Sequence, residues 1–222
     1  PGEITIERVT CRYAGAPADA LDDVSLRIER GQSIALVGEN GSGKTTLAKL
    51  IAGLYEPERG CVRWDGLDLR DLSAASIADR VAMVLQDPLR WPRSARENVR
   101  LGRHDRNDAD DEALNAAARE AGADEVVARL ERGWETLLSR QFHGGQELSG
   151  GQWQRMAIAR GLYRDARLVI WDEPTSSLDA KAEFAVYESL RRMATDRTVV
   201  LITHRLASIR HADRICFMER GR

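Results

Sequence analysis

The sequence lacks any long run of apolar side chains and has no large excess of either charge. Its clean apolar runs, such as Leu168 to Trp171 and Val199 to Ile202, are far shorter than the ~20 residues that a membrane-spanning helix needs. The 33 basic and 35 acidic side chains leave a formal net charge of −2, so no overall field attracts nucleic acid or anionic lipid. Any affinity for phosphate must therefore be local.

Cysteines are few, and no charged-then-apolar leader opens the chain. Cys11, Cys61 and Cys216 are odd in number and lack metal-ligand spacing, which is typical of a reducing compartment, so we expect them to pack in the core. The chain begins at Pro1 and stops at Gly221-Arg222, just after a strand-like stretch. We expect a soluble part of a longer protein.

The length of 222 residues, 43% of them hydrophobic, predicts one domain with a sizeable core. Short alternating patterns between residues 3 and 30 predict two or three antiparallel strands. A compact apolar run, a glycine-rich turn and helical spacing then predict strand, loop and helix over Ser33–Val37 and Thr45–Ala52. An edge strand or hairpin over Cys61–Leu69 and a buried strand over Val81–Leu85 follow.

The pattern changes after Pro88. The chain between Asp108 and Leu130 is rich in alanine with scattered charge, which predicts a helical insert over residues 87–147 with Asp108 and Asp124 as possible helix N-caps. Beyond the insert, strands alternate with helices, so we expect a parallel sheet. These elements are a helix over Gln152–Leu162, a strand over Leu168–Trp171, a helix over Lys181–Met193 and a strand over Thr198–Thr203.

The first chemical motif is Gly38-Glu-Asn-Gly-Ser-Gly-Lys44-Thr45, which fits the phosphate-loop pattern and lies between a predicted strand and helix. Its glycines allow successive backbone N–H groups to point at phosphates, with the positive end of the helix behind them. Lys44 is expected to reach the β and γ phosphates, and Thr45 to offer its hydroxyl to Mg²⁺.

A second motif, Leu168-Val-Ile-Trp-Asp172-Glu173, ends a buried strand in two carboxylates. Taken alone, such a pair is more often a helix cap or an exposed turn. In a chain with a phosphate loop, we expect Asp172 to hold Mg²⁺ through water and Glu173 to accept a proton from the attacking water.

The third motif is Leu148-Ser149-Gly150-Gly151-Gln152 at the start of a predicted helix, where it could be a simple helix cap. It also resembles the signature of the ABC superfamily without a mismatch. With it, the chain resembles an ABC nucleotide-binding domain along nearly its whole length. That resemblance implies an α/β phosphate-loop NTPase (RecA-like) with a mixed or parallel sheet, an N-terminal antiparallel β subdomain and a helical subdomain. The implied division of the single domain 1–222 is a core of 1–86 and 152–222 and a helical part of 87–151.

The resemblance also implies roles for single residues. Tyr13 matches the aromatic that stacks on adenine, and Gln86 matches the glutamine that senses Mg²⁺ and the attacking water. His204 matches the histidine that contacts the γ phosphate. The residues implied to bind the nucleotide are Tyr13, Gly38, Asn40, Gly41, Ser42, Gly43, Lys44, Thr45 and Thr46. Those implied to be catalytic are Glu173, His204, Gln86 and Lys44, and those implied to hold Mg²⁺ are Thr45, Gln86 and Asp172. The loop at the dimer interface is matched by Ser176, Ser177, Leu178 and Asp179.

Within the superfamily the closest resemblance is to exporters, because of the segments Ser94–Gly102 and Gly133–Thr136. The loop 140–145 differs from theirs in having no acidic residue, and Trp91-Pro92 is unusual. The resemblance implies ATP and Mg²⁺ as ligands and a second nucleotide-binding domain, identical or related, that pairs head to tail. It also implies a transmembrane partner that lies N-terminal in the same full-length chain, a place at the cytoplasmic face of the cell membrane, and no nucleic acid as a partner.

Two other functions are compatible with the sequence. A soluble ABC protein that remodels nucleic acid or ribosomes typically carries a long coiled coil or two such domains, and neither feature is visible. A regulatory module with an inactive site is the other, although Lys44, Glu173, His204 and the whole signature are present.

Overall fold

The computed structural model of the chain describes residues 2–174, 183–184, 197–203, 209–210 and 212–222. Within these ranges the structure gives two β-sheets and the full bounds of six α-helices. Among the described residues, no helix combines the length and the apolar character that a membrane crossing requires. Of the predicted helix Lys181–Met193, the structure describes only Glu183 and Phe184, which are helical.

The first sheet is antiparallel and has the strand order β2-β1-β4-β5. Its central strand alternates inward and outward residues, so that Ile4 and Ile6 are buried while Glu7 is exposed. The antiparallel strands and the hairpin predicted from the sequence are confirmed. The strands are β1 (Ile4–Cys11), β2 (Leu21–Ile28), β4 (Arg59–Trp64) and β5 (Leu67–Asp68).

The second sheet has the order β6-β7-β8-β3-β9, and the strand β3 pairs in parallel with both β8 and β9. β7 also runs parallel to β8, so the loops after β3 and β7 emerge at the same edge of the sheet. This edge carries the phosphate-loop motif and the Asp172-Glu173 pair. The strands are β3 (Ser33–Val37), β6 (Val81–Val84), β7 (Leu168–Asp172), β8 (Thr198–Ile202) and β9 (Arg214–Phe217).

Strands β3, β7 and β8 are almost wholly buried, as short apolar runs of a covered parallel sheet should be. The helix α1 (Lys44–Ile51) buries Leu47, Leu50 and Ile51 in the same core. Cys11 also lies in this core, Cys61 is buried, and Cys216 packs against the core while partly exposed. All three thiols are free, and burial raises their pKa above the ordinary value.

The described residues fall into two compact units: residues within 1–83, 166–173 and 193–222, and residues within 84–165 and 174–192. The second unit extends past the predicted limits of the helical part, because α6 (Gly150–Arg164) packs on α3, α4 and α5. The remaining helices are α2 (Ala74–Ala78) in the first unit, and α3 (Ala95–Arg100), α4 (Glu112–Ala121) and α5 (Ala123–Val127) in the second.

The two predicted N-caps differ from what the structure has. Asp111, not Asp108, immediately precedes α4, but the Asp108 carboxylate accepts hydrogen bonds from the N–H groups of Ala113 and Leu114, both at 3.0 Å. Asp108 therefore caps the helix from four residues before its first residue, Glu112. The prediction for Asp124 is wrong: Gly122, with φ of 66°, holds the N-cap position of α5, and Asp124 lies in the first turn. A left-handed backbone there favours glycine.

Candidate nucleotide-binding site

The phosphate-loop motif forms the turn between β3 and α1. Gly38 has φ of 150°, and a Cβ there would lie 2.1 Å from the carbonyl oxygen of Met218. Gly43 has φ of 99°, and a Cβ there would lie 2.6 Å from the carbonyl oxygen of Ala20. Both positions are closed to other residues by contacts as well as by backbone angle. Within the described residues, no side chain caps the first turn of α1. The helix N-terminus is therefore suited to an anion.

Lys44 is buried, and its side chain points into the turn rather than into solvent. Its Nζ donates to the carbonyl oxygens of Gly38 at 2.8 Å and Glu39 at 2.7 Å, and lies 3.4 Å from Oγ of Ser42. Ser42 is also buried, whereas Asn40 and Gly41 are exposed. The loop thus holds a cation where a phosphate chain would lie.

Thr45 and Asp172 bring the two motifs of the first unit together. The hydroxyl of Thr45 donates to Oδ2 of Asp172 at 3.0 Å. Burial raises the pKa of Asp172 above its ordinary value, the Thr45 hydrogen bond lowers it in part, and the adjacent Glu173 raises it. A buried carboxylate beside a hydroxyl is a pair of hard oxygen donors, and a cation would relieve the cost of its charge. These residues fit Mg²⁺.

Glu173 follows Asp172 at the end of β7 and has a left-handed backbone, with φ of 46°. Its N–H donates to the carbonyl oxygen of Ile202 in β8 at 2.9 Å, which fixes this turn to the neighbouring strand. A non-glycine residue with positive φ is uncommon and is often found at functional sites.

Tyr13 is 37% exposed and lies against α1, where its hydroxyl is 3.0 Å from Oγ1 of Thr46. The ring of Tyr55 meets it edge-on, with the two ring centroids 5.8 Å apart, and Nζ of Lys49 is 5.5 Å from the Tyr55 ring centroid. Tyr55 was not predicted from the sequence, because one tyrosine after a helix carries no signal of its neighbours. The two rings form an apolar corner beside the phosphate loop.

The signature motif lies in the second unit and begins α6. Ser149 is the N-cap: its Oγ accepts from the Gln152 N–H at 3.3 Å, and Oε1 of Gln152 accepts from the Ser149 N–H at 2.8 Å. Leu148 anchors the motif in the core, while Ser149 and Gly150 are exposed and Gly151 is half-buried. The helix-cap interpretation is confirmed, and the exposed Ser149 hydroxyl remains accessible to a ligand.

Gln86 also belongs to the second unit and is exposed, just after β6. The amide of the buried Gln154 lies 3.5 Å from the carbonyl oxygen of Leu85, immediately before it. Two further predicted elements, the loop Ser176, Ser177, Leu178 and Asp179 and the histidine His204, lie outside the described residues. The structure thus brings together Lys44, Thr45 and Asp172 in one unit and positions the signature in the other.

Comparison with known proteins identifies the family. Residues 21–176 match the ABC transporter family. The chain is 42% identical over 220 residues to the cyclolysin secretion/processing ATP-binding protein CyaB of Bordetella pertussis, covering 99% of this chain and 30% of that protein. It is 40% identical over 220 residues to a putative multidrug export ATP-binding/permease protein, YgaD, of Bacillus subtilis, covering 99% of this chain and 37% of that protein.

The fold agrees with a solved structure of a bacterial Atm1-family ABC exporter with ATP bound. The TM-score is 0.89 at 31% sequence identity, over 100% of this chain and 37% of that one. The chain therefore spans about a third of the length of these relatives. The predicted fold class and the resemblance to exporter-type nucleotide-binding domains are confirmed. This chain belongs to the ABC transporter family, in which it is a nucleotide-binding ATPase domain.

Proposed function

We propose that this domain drives export across a membrane by binding and hydrolysing ATP with Mg²⁺ between two head-to-tail domains. The observation that carries the proposal is the contact between Thr45 and Asp172, beside the buried Lys44. It joins a cation, a hydroxyl and a carboxylate at the edge of the sheet where two parallel strands end. A phosphate chain with its metal needs these groups.

In this proposal the nucleotide lies on the phosphate loop of one domain. Backbone N–H groups of residues 38–46 and Nζ of Lys44 bind the phosphates, after Lys44 exchanges its loop carbonyls for phosphate oxygens. Tyr13 stacks on the base. Thr45, Gln86 and Asp172 would hold Mg²⁺, Asp172 through water, and the ion would supply positive charge at the phosphates.

Hydrolysis then needs a base and an anchored γ phosphate. Water adds to the γ phosphorus, the bond to the β–γ bridging oxygen breaks, ADP leaves, and Glu173 takes the proton of the water. The fixed turn at Glu173 supports this role, because a base must be held near its water. His204 contacts the γ phosphate, and Gln86 senses the metal and the water.

The partner domain completes the site. Ser149 and the N–H groups of Gly150 and Gly151 bind the γ phosphate on the opposite domain, with the positive end of α6 behind them. The loop 176–179 crosses the interface, and the second domain is identical or closely related. ATP binding favours the closed pair and hydrolysis reopens it.

The transport part follows from the relatives, which are exporters or export ATP-binding proteins by name. We propose that a transmembrane domain, N-terminal in the same full-length chain, receives the movement at the segment after Gln86. The domain then acts at the cytoplasmic face of the cell membrane. Three free cysteines suit that reducing compartment. No feature of the described residues favours the alternative of a soluble, non-transport ABC protein.

The test is Glu173→Gln, which keeps the shape of the side chain and removes its basicity. We expect hydrolysis to fall by about 10² or more and ATP with Mg²⁺ to trap a dimer, measured by phosphate release and by size-exclusion chromatography with light scattering. ADP in place of ATP should leave a monomer. Brisk hydrolysis by Glu173→Gln would mean that another group is the base, and a monomer with ATP would contradict the shared site.

A further inference from the structure

Arg160, on the third turn of α6, donates hydrogen bonds from all of its guanidinium nitrogens within the second unit. Nε donates to the Asn98 carbonyl oxygen at 2.8 Å, Nη2 to Oδ1 of Asn98 at 3.0 Å, and Nη1 to the Leu89 carbonyl oxygen at 3.2 Å. Across the described part of the chain, no carboxylate forms an ion pair with it. Burial lowers its pKa to about 10.

Asn98, the residue held by Arg160, is fully buried and organises the turn before it. Its Nδ2 lies within hydrogen-bond distance of the carbonyl oxygens of Trp91 at 3.0 Å, Arg93 at 3.2 Å and Ser94 at 3.1 Å. The outer side of this turn is exposed and partly apolar, with Leu89 59% and Trp91 43% accessible. We call residues 87–94 the coupling segment.

The helix α6 also contacts the chain on either side of the coupling segment, at Leu85 and at Gly102. Gln154 lies against the Leu85 carbonyl oxygen, and Nη1 of Arg164 donates to the Gly102 carbonyl oxygen at 2.6 Å. Helix α6 is also in close contact with the end of β6, just before this segment, since a Cβ on Gly161 would lie 2.7 Å from Cγ2 of Val84. Residues 85–102 are therefore held along α6 by hydrogen bonds. Ser149, the N-cap of α6, lies about 16 Å from Arg160 along the helix axis.

Stability alone gives little reason to bury a guanidinium at this site. A guanidinium removed from water without an anion is unfavourable, and an apolar side chain of similar volume would often be neutral or better. What an apolar side chain cannot do is bridge two backbone carbonyls and an amide with a rigid fork of donors. The geometry thus points to positioning rather than to stability alone.

We propose that Arg160 is a positioning residue that, through Asn98, makes the coupling segment move with the signature end of α6. Engagement of Ser149 by the partner's nucleotide is thereby transmitted to the surface formed by Leu89 and Trp91. This inference rests on the proposed function, since it requires a signature that binds the partner's ATP.

The experiment uses the Glu173→Gln domain, trapped with ATP and Mg²⁺, and follows tryptic cleavage after the exposed Arg90 and Arg93 by mass spectrometry. Cleavage after these residues reports the coupling segment, and cleavage after the exposed Arg129 normalises for overall unfolding. With Arg160 present, we expect ATP to slow segment cleavage several-fold. In Arg160→Met, trypsin should cleave the coupling segment about tenfold faster, because the loss of one charge-assisted hydrogen bond makes local opening easier by about that factor. ATP should no longer slow this cleavage.

The matched control is Arg155→Met, on the same helix. Arg155 donates to the Gly122 carbonyl oxygen at 3.4 Å and pairs with Glu125 at 3.3 Å, so it fastens α5 and not the coupling segment. It should keep the ATP effect. Arg160→Lys retains the charge without the fork and should restore the effect only in part, which provides a second variant if Arg160→Met does not fold.

The outcomes distinguish a failure of the role proposed for Arg160 from a failure of the proposed function. If ATP traps the dimer but slows segment cleavage equally in Arg160→Met and Arg155→Met, the role of Arg160 is wrong while the proposed function stands. If the dimer forms and ATP leaves segment cleavage unchanged with Arg160 intact, the transmission is likewise wrong. If no dimer forms at all, the proposed function fails, and the inference fails with it.

Discussion

Thr45 and Asp172, 127 positions apart in the sequence, share a hydrogen bond of 3.0 Å at one edge of the parallel sheet. The bond exists because β3 and β7 run in the same direction beside β8, which places the start of α1 next to the end of β7. It holds the buried carboxylate in place. In the proposed function Thr45 would ligate Mg²⁺ directly and Asp172 would hold it through water, so the direct hydrogen bond between the two side chains would be given up.

We first expect Thr45→Ala to weaken the response to Mg²⁺. Losing one oxygen ligand should raise the Mg²⁺ concentration for half-maximal ATP hydrolysis about tenfold, the size of one charge-assisted contact. The measurement is turnover against Mg²⁺ at saturating ATP. Thr45→Ser keeps the hydroxyl and should respond as the unmodified domain does. An unchanged Mg²⁺ dependence in Thr45→Ala would remove Thr45 from the metal site.

Lys44→Ala should abolish ATP turnover, with a loss of about 10² or more, because Nζ is the buried cation of the phosphate loop. Lys49→Ala is the control: it also removes a lysine from α1, but one that lies over Tyr55 and not in the loop. Its turnover number should stay within about threefold of the unmodified domain, a minor barrier change. Near-normal turnover in Lys44→Ala would contradict the account of the loop.

Substitution of Tyr13 tests the proposal that its ring stacks on the base of the nucleotide. Removing the ring in Tyr13→Ala should raise the dissociation constant for ATP about tenfold or more, since stacking on an aromatic ring contributes about 1–3 kcal/mol. Tyr13→Phe keeps the ring and loses only the contact with Thr46, so its affinity should fall less. Titration of the single domain with ATP distinguishes them. Equal losses would show that the hydroxyl, not stacking, matters.

Ser149→Ala should weaken ATP-dependent pairing more than it weakens ATP binding by the single domain. It should also lower the free energy of unfolding by about 1 kcal/mol, because Ser149 caps α6. Ser94→Ala removes the same type of capping box, with Glu97, from α3 and is a matched control. It should cost similar stability and leave pairing intact. An equal effect of Ser149→Ala on pairing and binding would contradict the shared site.

Asp108 supports a pH-dependent prediction. Burial raises its pKa, but hydrogen bonds from the N–H groups of Ala113 and Leu114 outweigh this, and the net pKa is lowered. A lowered pKa in the folded state stabilises the domain above the unfolded value, about 4, and this stabilisation is lost as pH falls through the folded value. Asp108→Ala should therefore lose about 1 kcal/mol at pH 7.

The measurement is urea unfolding at neutral and acidic pH. The difference between Asp108→Ala and the unmodified domain should shrink below about pH 4, where the carboxylate becomes protonated in the unfolded chain. Asp124→Asn, exposed in the first turn of α5 and not a cap, should change little at either pH. A difference that stays constant with pH would mean that Asp108 acts by packing and not through its charge.

Local patterns in the sequence were sufficient to predict much of the fold. The strand–loop–helix over β3 and α1, the buried strand β7 and the helix after the signature have the predicted places, because apolar period and glycine chemistry are local properties. The N-cap prediction for Asp124 failed because a neighbouring residue was better suited to that position. A glycine two residues earlier could adopt the left-handed backbone that ends α4 and begins α5, and side-chain preference alone does not register this.

The sequence by itself determined which groups could bind a phosphate chain and its metal. They are a lysine and a threonine in one glycine-rich turn, two carboxylates at the end of a strand, and a serine that caps a helix. Their motifs are short, and each depends on neighbours within a few residues. The tertiary structure decided which of them meet, placing Thr45 on Asp172, Tyr55 on Tyr13 and Arg160 on Asn98. These contacts join residues 127, 42 and 62 positions apart. Only sheet order and helix packing bring residues so distant in the sequence into contact.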